Sequence, residues 1–151
     1  MQNSSLARGL QNRLLFFTAL ALLFLACGSS EKRRNSVKLS QYMVAGRSLY
    51  QQHCSNCHQD DGKGLAKLVP PLHQSDYLKV LKPDDLACQI KYGLSGTIYV
   101  NGEMYRQPMP SNPRLTPLEI AEIVTYVRNT WGNEPGLYEV KKAEKAIQNC
   151  N

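Results

Sequence analysis

An all-α domain is what this sequence predicts, and three observations carry that expectation. Thr116-Pro117-Leu118-Glu119 combines a capping box with proline at the first helical position, the clearest helix start in the chain. Behind it Ile120, Ile123, Val124 and Val127 form an apolar stripe that runs to Trp131, and Gly132 stops it. Elsewhere, short helical segments alternate with stretches rich in Gly, Pro and Asn, so the chain reads as helix and loop.

The elements follow in order. Residues 1–26 read as a signal segment: Arg8 and Arg13 make a positive start with no acidic residue, and Leu14–Ala26 is a 13-residue apolar run. That run is short of the roughly 20 residues a membrane span needs. It ends at Ala26-Cys27-Gly28-Ser29-Ser30, which resembles a bacterial lipoprotein cleavage site and makes Cys27 a candidate for lipidation; ordinary secretion with cleavage is the alternative. Residues 27–40 are then a flexible tether, small, polar and basic, with almost nothing to bury.

Ser40 is a plausible N-cap for a helix from Gln41 to about His53, with Val44, Leu49 and Tyr50 as its apolar positions. Asp60-Asp61-Gly62-Lys63-Gly64 is a turn leading into a loop. Ser75 can cap a short helix over Asp76–Leu81. Pro83, followed by Asp84 and Asp85 near the positive end of the dipole, starts another that stops at Gly93. Residues 94–115 show no helical period and read as irregular loop, and Tyr138–Gln148 as one more short amphipathic helix. The organisation is thus a domain at 41–133 followed by an extension at 134–151.

Charge excludes one class of partner. The whole chain is +6, but the signal and tether carry most of that surplus. From residue 41 onward 12 basic residues face 11 acidic ones, so nucleic-acid binding is not supported.

The chemistry concentrates in Cys54-Ser55-Asn56-Cys57-His58, a C-x-x-C-H attachment signature for a c-type haem. Two thiols three positions apart on one turn can bond covalently to two edges of a single porphyrin. The adjacent imidazole then supplies the proximal iron ligand. A thioredoxin-like redox pair wants a βαβ context, and nothing strand-like precedes Cys54. A zinc site wants a second ligand pair, whereas Cys88 and Cys150 stand alone. One such motif and no internal repeat imply one haem c.

The second axial ligand is expected to be a methionine, because a soft thioether suits ferrous iron and raises the potential into carrier range. Met43 sits in the first helix, where methionine is more often a core filler. Met104 and Met109 both lie in the irregular loop. Met109 is favoured, since Pro108 and Pro110 fix its backbone. A bis-histidine iron through His53 or His73, or an open site, is the minority reading.

Gly46-x-x-x-Tyr50 before Cys54–His58, then Pro70-Pro71-Leu72, Pro108-Met109-Pro110 and a last helix with Tyr126 together resemble a class I mono-haem cytochrome c over roughly residues 41–133. The closing stretch from Leu115 through Trp131-Gly132-Asn133 is similar to small bacterial members. The resemblance implies a crossing of the first and last helices at Gly46, packed against Ile123 and Tyr126. It implies that a proline carbonyl accepts the Nδ1–H of His58, with Pro70 the best match and Pro71 second, and it makes Met109 the distal ligand. The tyrosine-rich loop with Tyr99 and Tyr105, and the extension past Asn133, depart from it.

The resulting expectation is a periplasmic electron carrier, not an enzyme, tethered through Cys27 and exchanging single electrons with membrane-bound redox proteins. The rivals are a peroxidase-like enzyme and a haem-based ligand sensor, both of which need a labile sixth ligand. Cys88 and Cys150 remain as an even pair in an exported chain, where a disulfide is expected. The alternative is a buried Cys88 and a loose Cys150.

Overall fold

The structure, a computed structural model, describes Arg13 and residues 31–150. Cys27 and, apart from Arg13, the signal-type segment lie outside the described residues. The chain divides into two compact units, residues 1–37 and 38–151. In the first, residues 31–37 are helical and exposed, with Ser36 Oγ donating to the Arg33 carbonyl at 2.8 Å. In the second, helix α1 covers residues 38–53. Residues 31–40 were expected to be a flexible tether and are helical throughout, so helical structure does not wait for the cap at Ser40.

The remaining elements are α2 (Ser55–His58), α3 (Asp76–Val80), α4 (Pro83–Tyr92), β1 (Ile98–Val100), β2 (Glu103–Tyr105), α5 (Pro117–Trp131) and α6 (Val140–Gln148). The start signals act as the physical chemistry requires. Ser75 Oγ accepts from Leu78 N at 3.1 Å, capping α3. At α5 the capping box closes both ways: Thr116 Oγ1 accepts from Glu119 N, and the Glu119 carboxylate accepts from Thr116 N at 2.7 Å. Those bonds hold the Glu119 carboxyl below the usual carboxylate range.

The irregular loop expected over residues 94–115 needs one correction. Ile98–Val100 and Glu103–Tyr105 pair antiparallel around Asn101-Gly102, whose φ angles are 52° and 79°. The β-branched and aromatic run Ile98-Tyr99-Val100 and the strand Glu103-Met104-Tyr105 close a hairpin around Asn-Gly because both turn residues tolerate positive φ. The hairpin hangs on α3 by a reciprocal pair: Asp76 Oδ1 accepts from Asn101 N at 2.7 Å, and Asn101 Oδ1 accepts from Asp76 N at 3.0 Å.

The core is formed by α1, α4, α5 and α6, with Ile120, Ala121, Ile123 and Val124 fully buried on α5. Where α1 crosses α5, a Cβ on Gly46 would stand 2.1 Å from the Glu122 carbonyl oxygen and 2.8 Å from Tyr126 Cβ. The nearest contacts are therefore Glu122 and Tyr126, not the Ile123 and Tyr126 pair expected, and α5 is followed by a further helix.

Helix α6 belongs to this core. Ala143 and Ala146 are buried, Tyr138 donates its hydroxyl to Asp84 at 2.7 Å, and Lys38 pairs with Glu139. Cys88 on α4 and Cys150 are joined by a disulfide, their Cα atoms 5.7 Å apart. The stretch read as an extension is thus a packed part of the unit.

Two outcomes test this account. Gly46→Ala is expected to lower the unfolding free energy by about 1–3 kcal/mol, the usual cost of overpacking; an unchanged urea midpoint would mean the backbones do not approach. The double substitution Cys88→Ser/Cys150→Ser opens a loop of 62 positions. On chain-entropy grounds it should cost about 4 kcal/mol, read as a lower denaturation midpoint that reductant no longer shifts.

Candidate functional site

A cavity of about 580 Å³ opens into the core, within the roughly 300–1,000 Å³ of cofactor pockets. Its wall is mainly apolar: Leu78, Leu86, Ile90, Ile123 and Val127 from the helices, Leu81 just after α3, Leu65, Leu68, Val69 and Leu72 from one loop, and Ile98 and Val100 from the hairpin. Several of these side chains also belong to the core cluster, so the domain packs around this space.

The C-x-x-C-H turn forms one part of the wall. Cys54 follows α1, its amide bonding to the Tyr50 carbonyl at 2.8 Å, and its own carbonyl accepts from Cys57 N and His58 N. That turn brings Cys54, Cys57 and His58 to the same cavity. Cys54 is half-buried and Cys57 exposed. Burial pushes the Cys54 thiol up to about 12, aided by Cys57, so it stays neutral at ordinary pH instead of serving as a thiolate. Among the described residues, no group of three or more His, Cys, Asp or Glu converges as a metal site would require.

His58 is oriented by the loop that follows. Gly62 and Gly64 both take φ of +71°, and the Gly62 carbonyl accepts from Leu72 N and His73 N, folding the chain back on itself. Gly64 N donates to the His58 carbonyl at 2.9 Å, and a short bridge pairs Leu65 with Val69. The Pro70 carbonyl thereby comes within 3.2 Å of His58 Nδ1, and an Nδ1–H donated there leaves Nε2 as the ring's free lone pair. Burial lowers the pKa of His58 while the Pro70 contact opposes it, so the imidazole is neutral.

Met109 lines the same cavity, partly buried, with its backbone bonded both ways to Leu94 at 2.9 and 3.0 Å. Met104 does not line it. It lies on β2 opposite Tyr99, and both are exposed, Met104 by 41%. Met43 is on α1 and does not line the cavity either, and His53 and His73 are exposed. Pro71 reaches the wall, but the carbonyl facing His58 is that of Pro70.

Sequence reasoning did not foresee some of the wall. Tyr50 is almost fully buried, its hydroxyl donating to the Gln59 carbonyl at 2.6 Å and its ring 5.5 Å from Tyr126 and 5.1 Å from Trp131. Trp131 in turn lies against Gly62, where a Cβ would come within 2.7 Å of the indole. Tyr77 and Gln89 add a polar spot, the amide donating to the phenol oxygen at 2.7 Å. The Asn101-Gly102 turn was the available signal for the hairpin portion.

This donor set suits a haem: two thiols on one turn, a neutral imidazole with a fixed ring, a thioether, and an apolar wall of cofactor size. Residues 43–131 match the family model for cytochrome c. The chain is 35% identical over 91 residues to cytochrome c-552 of Thermus thermophilus, covering 58% of this chain and 69% of that protein. It is 32% identical over 96 residues to the cytochrome c subunit of alcohol dehydrogenase (quinone) of Komagataeibacter europaeus, covering 62% of this chain and 20% of that subunit. It is also 32% identical over 109 residues to the fructose dehydrogenase cytochrome subunit of Gluconobacter japonicus, covering 70% and 22%. The chain thus spans about a fifth of the length of those two subunits.

Proposed function

This chain belongs to the cytochrome c family, and we propose that it carries single electrons on one haem attached through Cys54 and Cys57 and ligated axially by His58 and Met109. The coarser part of that statement, a c-type cytochrome that carries electrons on covalently bound haem c, is the family's own. The observation that carries the finer part is that the two thiols, the imidazole and the Met109 side chain all line one apolar cavity.

A bound haem supplies a one-electron iron couple. The chain's residues do the rest. His58 presents Nε2 because its Nδ1–H donates to the Pro70 carbonyl, which fixes the ring. Met109 presents its sulfur from a backbone pinned to Leu94. A haem held by both His58 and Met109 would offer neither dioxygen nor peroxide a place to bind, which would separate a carrier from a peroxidase or a ligand sensor. The apolar wall excludes water and favours the less charged state of whatever it encloses.

Export and tethering complete the proposal. The signal-type segment at residues 1–26, followed directly by Cys27, supports a periplasmic domain held to the membrane by lipid, exchanging electrons with membrane-bound redox proteins. Such a tether raises the effective concentration near those partners. Among the described residues no helix is long and apolar enough to cross a membrane.

Replacing both Cys54 and Cys57 with serine should give a chain that loses its haem to acidified organic solvent, while the parent keeps it. Retention by the double variant would rule out thioether attachment there. Met109→Ala should abolish the methionine–iron charge-transfer band of the ferric protein, lower the potential and let carbon monoxide bind the ferrous form. Met104→Ala should do none of these, and the opposite pattern would exchange their roles.

A further inference from the structure

The segment that carries Met109 is fastened to the end of α4 by one side chain. Lys91 lies in the last turn of that helix, and its ammonium donates to the Pro113 and Leu115 carbonyls, both at 2.8 Å. No ion pair involves Lys91 among the described residues. Its charge faces backbone oxygens and the negative end of the α4 dipole, and, beside the larger effect of the Thr116 hydrogen bonds, it also helps hold the Glu119 carboxyl of the α5 capping box below its ordinary pKa. Ordering a lysine this way costs side-chain entropy, and most surface lysines are left loose.

The same turn holds the segment by its backbone. The Lys91 carbonyl accepts from Asn112 N at 3.1 Å, and Asn112 Nδ2 donates to the Ile90 carbonyl at 3.3 Å. Gly93, with φ of +81°, lets Met109 come close: a Cβ there would stand 2.5 Å from the Met109 carbonyl oxygen. Pro110 and Pro113 stiffen the short path, three residues long, between Met109 and the Lys91 clamp. A hold at residues 113–115 is therefore felt at residue 109.

We propose that Lys91 is a positioning residue for Met109, its ammonium clamping residues 113–115 to the end of α4 and so setting how readily the methionine leaves the iron. This rests on the axial assignment above. An outside ligand reaches the iron only when Met109 has moved away, so its apparent affinity reports the fraction of time the segment is open.

The experiment is an imidazole titration of ferric, haem-loaded protein, followed through the methionine–iron band. Lys91→Met removes the donors, Lys91→Arg keeps them, and Tyr138→Phe loosens the distant Asp84 contact as a stability control. Lys91→Met should bind imidazole about tenfold more tightly than the parent, with Lys91→Arg within about threefold and Tyr138→Phe unchanged. If Lys91→Met does not load haem, Lys91→Leu, which also lacks donors, carries the same comparison. Parent-like affinity in the variant lacking the donors, or an equal gain in Tyr138→Phe at matched loss of stability, overturns the proposal. Met109→Ala separates the two layers. A band that survives in that variant sinks the axial assignment, whereas a band lost there beside parent-like affinity in Lys91→Met sinks only the clamp.

Discussion

The approach of α1 to α5 at Gly46 is the constraint on which the rest of the unit depends. With the Glu122 carbonyl where a side chain would begin, the two backbones meet without an intervening layer. One turn further along α1, Tyr50 then falls among Tyr126 and Trp131, and Ile123 and Val127 on α5 turn toward the cavity. Burial keeps the Tyr50 phenol protonated, above its ordinary pKa, so the hydroxyl remains a donor to the Gln59 carbonyl just past the C-x-x-C-H turn. A single missing methyl group therefore sets where the C-x-x-C-H turn begins and what faces it.

From that fixed end the chain builds its wall with loops more than with helices. Positive-φ glycines at 62 and 64 reverse the chain so that Pro70 comes back to His58, and Gly93 does the same for Met109 against Leu94. Each reversal brings a backbone carbonyl to a particular partner. The helices supply the stiffness and the loops supply the aim, as is usual when function sits on connections over a rigid scaffold.

Much of this was legible in the sequence. The capping box at Thr116, the proline start of α4 and the C-x-x-C-H turn rest on local chemistry, and local chemistry is what a sequence states most directly. Met109 could be favoured over Met104 because flanking prolines are visible in the chain, although their different burial is not. The hairpin also has a local signal, Asn101-Gly102 after Ile98-Tyr99-Val100, but the second strand, Glu103-Met104-Tyr105, has little β pattern and the surrounding Gly and Pro mask it. What no local pattern carried was the long-range placement: Glu122 in place of Ile123 opposite Gly46, α6 as core, the reciprocal Asp76–Asn101 bonds, and Lys91 reaching residues 113 and 115. Those depend on how the chain returns to itself, and different returns are compatible with one pattern of periodicity.

The same crossing of α1 and α5 has a consequence for how fast the unit can form. Gly46 and Glu122 are far apart in the chain, and the elements between them are short: two brief helices, α4 and a hairpin of two three-residue strands. Bringing such distant segments together costs about 4 kcal/mol of loop-closure entropy before any contact repays it. Helical domains usually fold through neighbours in sequence and so fold quickly. Here the contact that fixes the crossing is a non-local one, so this part of the unit cannot form from neighbours in sequence alone.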